Sequence, residues 1–277
     1  MKIGIIINSS KEKALPIADK TINSLLNFGA EVFVTEEYKN QFQNVQILNE
    51  DDIYITSDIV AVIGGDGTII HTAKKAAKFS KPLLGINAGR LGYLAGLEAN
   101  DLSKLEKLVT NNFVIKNRML LSVTVGDSEY LCLNDAVISK GPLSRMIDIS
   151  VTLKGECVSY RADGLIFATP TGSTAYSLSA GGPIVDPDLD SIILTPICPQ
   201  SLYARPILIS PDDEIAITAI PPEGTGAYLT IDGEEVCPIL PNQKITVRRA
   251  KDLRAGFIKL QEGVFFNALA NKFNFSK

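Results

Sequence analysis

The sequence predicts an α/β N-terminal domain, with a mostly parallel, Rossmann-like sheet, followed by an all-β antiparallel C-terminal domain and a C-terminal helix that returns to the first domain. Three observations carry this reading. Up to about residue 100, short apolar runs alternate with amphipathic helical segments, the pattern of β-α-β units over a parallel sheet. Beyond about residue 101, runs of period-two alternation recur with turn residues every ten or so positions, as in a sandwich or layered β domain. The tail, 263–275, places Val264, Phe265, Leu269 and Phe273 at helical spacing. The expected divisions are 1–100, 101–250 and a final segment, 251–277, packed back on the first domain.

Residues 3–7 are a continuous apolar run, as a strand buried on both faces requires. Residues 16–28 carry Ile17, Ile22, Leu25, Leu26 and Phe28 on one helical face, and Gly29 supplies a left-handed stop. Residues 30–34, 59–63 and 83–86 read as further strands, with helical composition over 68–79 between the last two. A helix carrying Leu102, Leu105, Leu108 and Val109 opens the second part. Alternation then marks strands at 120–125, 129–133, 136–139, 147–153, 213–219, 227–231 and 244–247. Asp232-Gly233, set between 228–231 and 234–236, reads as a type I′ hairpin turn.

Composition narrows the function. Lys and Arg number 27 against 31 Asp and Glu, a net charge of −4, which argues against a protein whose main work is gripping nucleic acid or an anionic membrane. The four cysteines form no Cys-x-x-Cys pair, so no zinc or dithiol motif is written, and their sparsity fits a reducing compartment. The opening MKIGIIINSSKEK meets charge by Lys11, too soon for a signal peptide, and no run approaches a membrane span; a cytoplasmic location is expected. His71 is the one histidine, which excludes a His-dependent triad or a cluster of histidine ligands. Chemistry must rest on carboxylates, hydroxyls, backbone amides or a metal carried by the substrate.

The strongest local signal is Gly64-Gly65-Asp66-Gly67-Thr68, linking a buried strand to a helix. Such a link lets backbone approach a ligand and aims helix N–H groups at phosphate. Thr68 is a candidate helix cap. The Walker A and dinucleotide glycine patterns are both absent. A carboxylate at Asp66 would repel phosphate unless it acts on the acceptor or on a bridging Mg²⁺; an ordinary Asp-Gly turn with a capping Asp66 is the competing reading. The series Gly85-Ile-Asn87-Ala-Gly89-Arg90-Leu-Gly92-Tyr93 follows a strand end, the ligand-facing edge of an open α/β sheet, though its glycines also suit a tight loop.

The densest run lies downstream: Arg161-Ala-Asp163-Gly164, then Thr169 to Pro183. From Thr169 to Ser179 it holds six Ser or Thr plus Tyr176, donors and acceptors suited to a polyhydroxylated ligand, or a loop with caps. Asn134-Asp135 and Asp232-Gly233 read on their own as turns. His71 is either a phosphate partner or a surface side chain. Arg145 and Arg161 are isolated cations near the hydroxyl-rich run, each able to meet a phosphate or to form a surface ion pair.

In this combination the chain resembles the NAD kinase family. GGDGT, NAGRLGYL, LND at 133–135, RADG at 161–164 and TPTGSTAYSLSAGGP at 169–183 follow that family's order, across about residues 60–235. GGDGT alone is shared with lipid kinases and phosphofructokinases, whereas the TGSTAYSLSAGGP run is specific. The resemblance implies transfer of the γ-phosphoryl of ATP, or in some members polyphosphate, to the 2′-hydroxyl of the adenosine ribose of NAD, giving NADP. It implies Asp66 as proton acceptor, with Gly65, Gly67 and Thr68 beside the dinucleotide, and Asn134 and Asp135 around the ribose and adenine. Arg161 and Asp163 would flank the base and phosphates. Thr171, Thr174, Ala175, Tyr176, Ser177, Leu178 and Ser179 would form the dinucleotide loop, with His71, Arg145 and Asp232 as further polar positions. Many members carry Asn-Glu where this chain has Asn134-Asp135. The resemblance also implies a homodimer or homotetramer with a site partly built by a neighbour. No metal cage is apparent, so Mg²⁺ would arrive on the nucleotide. A lipid or diacylglycerol-type kinase built on the same turn and a non-catalytic NAD-binding sensor are the alternatives, and the acidic balance counts against a membrane substrate.

Overall fold

The computed structural model describes residues 1–89, 92–143, 145–260, 265, 269 and 270, with the backbone alone at 235 and 236. The chain forms two compact units, Met1–Asn117 with the stretch from Ala255, and Arg118–Arg254. Phe265, Leu269 and Ala270 have helical backbone; the rest of the helix expected over 263–275 lies outside the described residues.

The first unit runs β1 (Lys2–Ile7), α1 (Ala14–Asn27), β2 (Glu31–Thr35), β3 (Gln46–Leu48), α2 (Glu50–Thr56), β4 (Ile59–Gly64), α3 (Asp66–Lys78), β5 (Leu83–Asn87), β6 (Leu97–Glu98) and α4 (Glu106–Val109). Its strands pair in parallel in the order β3-β2-β1-β4-β5, with β6 on β5. Strand β4 is buried along its whole length, which is why IVAVI shows no alternation. Helix α1 buries Ala14, Ile17, Ala18, Ile22 and Leu25. It stops where Gly29 takes φ of 85°, its N–H donating to Leu26 O and that of Ala30 to Leu25 O, the Schellman arrangement. The helix expected over 102–109 is shorter than its spacing suggests. A 3₁₀ turn at Leu102–Leu105 leads into α4, which ends when Asn111 takes φ of 54°.

Because β1 leads through α1 to β2 on one side, while β4 leads through α3 to β5 on the other, the chain reverses direction between β1 and β4. In open α/β sheets the carboxyl ends of strands at that switch point form a ligand crevice. Asn8 and Gly64-Gly65-Asp66 sit at those two ends.

The second unit contains β8 (Ser128–Cys132), β9 (Asp135–Lys140), β10 (Ile147–Leu153), β11 (Glu156–Ala162), β12 (Gly164–Ala168), α5 (Tyr176–Ser179), β13 (Ile192–Ile197), β14 (Ile207–Ile209), β15 (Ile215–Ile220), β16 (Ala227–Ile231) and β17 (Glu234–Ile239). The longer β7 (Val114–Val125) leads into it and β18 (Ile245–Lys259) leads out. One antiparallel sheet runs β14-β13-β12-β9-β16-β17; β11-β10-β15-β18 and the β7–β8 pair are antiparallel too. Between the layers lies a core containing Leu121, Val123, Ile138, Ile149, Phe167, Ile217, Leu229 and Val247, each at most 1% exposed. At 25 cal/mol per Å², each such side chain stabilises by about 1.5–3 kcal/mol. The other face of β12 and β13 is covered as well, by Val185 and Ala180 from the chain that follows β12. The turn between β16 and β17 has φ of 52° at Asp232 and 86° at Gly233, the type I′ geometry.

No helix among the described residues is long and apolar enough to cross a membrane.

Candidate active site

In the first unit the glycine-rich link places Asp66 as the first residue of α3, two residues ahead of the expected start. Gly65 is the N-cap residue, with no side-chain cap bond, so Thr68 does not cap the helix. Thr68 instead packs against Gly64, where an added Cβ would lie 2.8 Å from its side chain, and its Oγ1 accepts from Asn8 Nδ2 at 2.7 Å. That bond crosses the switch point. Asn8 in turn accepts from Ser10 N and Ser10 Oγ at 3.1 and 2.6 Å.

The Asp66 carboxylate lies over the loop after β5. Tyr93 N–H donates to Oδ2 at 3.1 Å and Leu94 N–H to Oδ1 at 3.4 Å. The phenol of Tyr93 is shifted up by its partial burial and by the charge of Asp66. Asn87, 4% exposed, holds the start of that loop: its Oδ1 accepts from Gly89 N at 2.9 Å and its Nδ2 donates to Glu98. Arg90 and Leu91 lie outside the described residues. Gly65 and Gly67 have open space where a Cβ would stand, and His71 is exposed on α3.

In the second unit the strand order β12-β9-β16 sets the amino end of β9 between the carboxyl ends of β12 and β16, with Asp135 opposite Ala168 and Ala136 opposite Ile231. Three polar segments therefore meet at one sheet edge. Asp232, in the turn after β16, accepts from Asn134 N at 2.7 Å, Leu133 N at 3.1 Å and Asp135 N at 3.3 Å. Thr169 Oγ1 donates to Leu133 O at 2.5 Å and accepts from Gly172 N at 3.1 Å. Gly172 has no alternative side chain here, since a Cβ would lie 2.1 Å from Asn134 O. Asp135 is 5% exposed; burial first, then the charge of Asp232, push its pKa up to about 6, while the backbone N–H of Tyr176 pulls it back. Sequence spacing could not show that Asp232 braces the Asn134-Asp135 turn through its amides.

The hydroxyl-rich run divides in two. Ser173 exchanges hydrogen bonds with the backbone of Val185, and Ser177 bonds Thr195 Oγ1 at 2.8 Å, both fully buried, while Thr171 is nearly so. The hydroxyls of Ser173 and Ser177 thus tie the loop to Val185 and to β13. Tyr176 and Ser179 are exposed, and Thr174, Ala175 and Leu178 half-buried.

The RADG segment stands elsewhere. Arg161 pairs at 3.8 Å with Asp148 across the β10–β11 ladder, and Asp163 pairs with Lys140 at 2.8 Å. Asp163 precedes β12 whereas Thr169 follows it, so the five-residue strand between them separates them by about 20 Å. Arg145 is exposed beyond the same far end of β9. Within one chain the structure therefore does not bring Arg145, Arg161 and Asp163 to the Asp135 edge. Among the described residues no group of three or more His, Cys, Asp or Glu is gathered that could hold a metal ion.

Two family models match the chain, the ATP-NAD kinase N-terminal domain over residues 3–113 and the ATP-NAD kinase C-terminal domain over residues 133–260. An NAD kinase of Caldanaerobacter subterraneus subsp. tengcongensis is 39% identical, with 98% of each chain covered. The chain belongs to the NAD kinase family. NAD kinases of Symbiobacterium thermophilum and Desulforamulus reducens are 38% and 37% identical, covering 98% of this chain and 98% and 96% of theirs. Among solved structures, yeast NADH kinase complexed with NADH has a TM-score of 0.86 at 24% identity, covering 100% of this chain and 88% of that one. An NAD kinase from Archaeoglobus fulgidus in complex with ATP has a TM-score of 0.76 at 24% identity over 100% of both chains. Both share the NAD kinase fold seen here.

Asn8 is the residue of this site that sequence reasoning missed. Its signal was legible: a polar residue directly after the first buried strand of a parallel sheet. The amides of Tyr93 and Leu94 had no such signal, because any residue type supplies an N–H.

Proposed function

We propose that this chain transfers the γ-phosphoryl group of ATP to the 2′-hydroxyl of the adenosine ribose of NAD, yielding NADP and ADP. The observation that carries the proposal is membership of the NAD kinase family together with the single carboxylate of the glycine-rich link, Asp66, at the switch point of the parallel sheet. The 2′-oxygen attacks the γ-phosphorus in line, the bond from that phosphorus to the β,γ-bridging oxygen breaks, and ADP leaves with its electron pair. The hydroxyl proton passes to an oxygen of Asp66 and then to water. A carboxylate is a weak base toward an alcohol, so Asp66 orients the hydroxyl and takes the proton late, as the new P–O bond forms. Asn134, Asp135 and the exposed part of the 174–179 loop bind the nucleoside. Mg²⁺ enters with ATP, neutralising phosphate charge, and no side chain of this chain is assigned to it.

Incubation of the protein with NAD, ATP and Mg²⁺, followed by assay for NADP, tests the proposal; absence of NADP with NAD bound would favour a sensor. Polyphosphate and NADH, as alternative donor and acceptor, are arms of the same assay. A homodimer or homotetramer belongs to this reading. Its support is the distance along β12 that keeps Arg161 and Asp163 from the Asp135 edge of their own chain, and sedimentation with and without NAD tests it. A cytoplasmic location fits the four free cysteines.

A further inference from the structure

We infer that Gly92, with the backbone N–H groups of Tyr93 and Leu94, forms a fitted seat for the Asp66 carboxylate, and that Gly92 is a positioning residue for phosphoryl transfer. The inference rests on the proposed role of Asp66 and deepens it. An ideal Cβ on Gly92 would stand 2.0 Å from Asp66 Oδ1, 2.5 Å from Cγ and 2.7 Å from Oδ2, well inside van der Waals contact. All three contacts fall on one carboxylate, so any larger residue at 92 expels that group in particular. What the absent side chain leaves open is the path by which the carboxylate reaches the two amides, at 3.1 and 3.4 Å.

The seat is anchored on its C-terminal side, and the start of the loop is held as well. Beyond it, Gly96 N–H donates to Gly85 O at 2.9 Å, β6 pairs with β5, and Gly85 lets Ala95 lie flat, a Cβ there being 3.2 Å from Ala95 Cα. Before it, Asn87 ties the loop through Gly89 N and Glu98. The backbone from Gly92 to Gly96 therefore cannot retreat cheaply from an added methyl group, whereas the Asp66 side chain can rotate away. Two backbone donors fix both the position and the rotation of the carboxylate, as a general base aimed at one hydroxyl requires, and a displacement of about 1 Å in such a group costs on the order of 10²-fold in rate.

The test is a double-mutant cycle of Gly92→Ala and Asp66→Ala, with kinetics and urea unfolding. Gly92→Ala is expected to lower kcat about 10²-fold while the KM for NAD and for ATP stay within about 3-fold. In the Asp66→Ala background, where no carboxylate remains to be displaced, Gly92→Ala is expected to change the residual turnover by less than about 2-fold. The urea midpoint, read independently of activity, falls on Gly92→Ala in the wild-type background and not in the Asp66→Ala background. Wild-type kcat in Gly92→Ala, or an equal loss in both backgrounds, would overturn the inference. If Gly92→Ala alone fails to fold, recovery of folding in the double variant supports the seat, and failure of both overturns it. Undiminished turnover in Asp66→Ala would instead overturn the role of Asp66, with the urea coupling still reporting the seat.

Discussion

Replacing Asp135 by Asn should stabilise the protein at pH 8 and leave it nearly unchanged at pH 3.5. The carboxyl is buried beside Asp232, which raises its pKa in the folded chain to about 6, from an ordinary value of 3.8. Between those values the native state binds more protons than the unfolded one, so stability falls as pH rises through this window. Above pH 6 the folded state carries the whole cost of an ionised, desolvated carboxylate. A rise of about 2, at 1.36 kcal/mol for each pH unit, sets that cost at about 3 kcal/mol. Asn keeps an oxygen to accept from Tyr176 N and removes the charge, so the variant should gain up to about 3 kcal/mol at pH 8. In a urea titration with a slope near 3 kcal/mol per M, that gain moves the midpoint by about 1 M. Far-ultraviolet circular dichroism follows the transition, since the chain has no tryptophan. A variant less stable than wild type by the same amount at both pH values would refute the argument, because it would mean that the carboxylate is compensated rather than penalised.

Asp66→Asn should leave NAD affinity within a few-fold in calorimetry while turnover falls about 10²–10⁴-fold; retained turnover would remove Asp66 from the chemistry. Asp232→Ala removes the acceptor of three backbone amides and should cost about 2–4 kcal/mol in urea unfolding and raise the KM for NAD, whereas Asp232→Asn should recover much of the stability. Gly172→Ala drives a methyl group into Asn134 O and should cost about 1–3 kcal/mol, with weaker NAD binding measured on the same sample. Gly29→Ala, far from any ligand group, should cost about 1 kcal/mol through its positive φ and leave the kinetics unchanged.

Legibility followed physical cause. Strands β1, β4 and β5 were visible because a sheet covered on both faces demands unbroken apolar runs between glycine and polar turns. The β16–β17 hairpin was visible because Asp-Gly suits two successive positive φ angles. Strands β12 and β13 were not found, although GLIFA and IILTPI are fully buried apart from the half-buried Ile197. Their second face is covered by Val185 and Ala180 from the segment that joins the two strands, so the alternation that marks a half-exposed strand is lost. Helix α3 began earlier than its composition suggests because Gly65 could take the extended N-cap conformation, leaving Asp66 in the first turn, where a carboxylate meets the helix dipole favourably.

Residue types and their order were enough to name the chemistry through a resemblance, because GGDGT, NAGRLGYL and TGSTAYSLSAGGP stand in the order of the NAD kinase family; taken singly, each motif left a structural reading open. They could not say which polar groups face a ligand and which hold the framework. Strand order and register bring Asp232 to the Asn134 amide, Ser173 to the Val185 backbone and Ser177 to Thr195, partners that no spacing in the sequence displays. Nor could they show that Asp66 rests on the amides of Tyr93 and Leu94, 27 and 28 positions away. Backbone donors are common to nearly every residue, so their placement is a property of chain path, and chain path is settled by packing over long sequence separations.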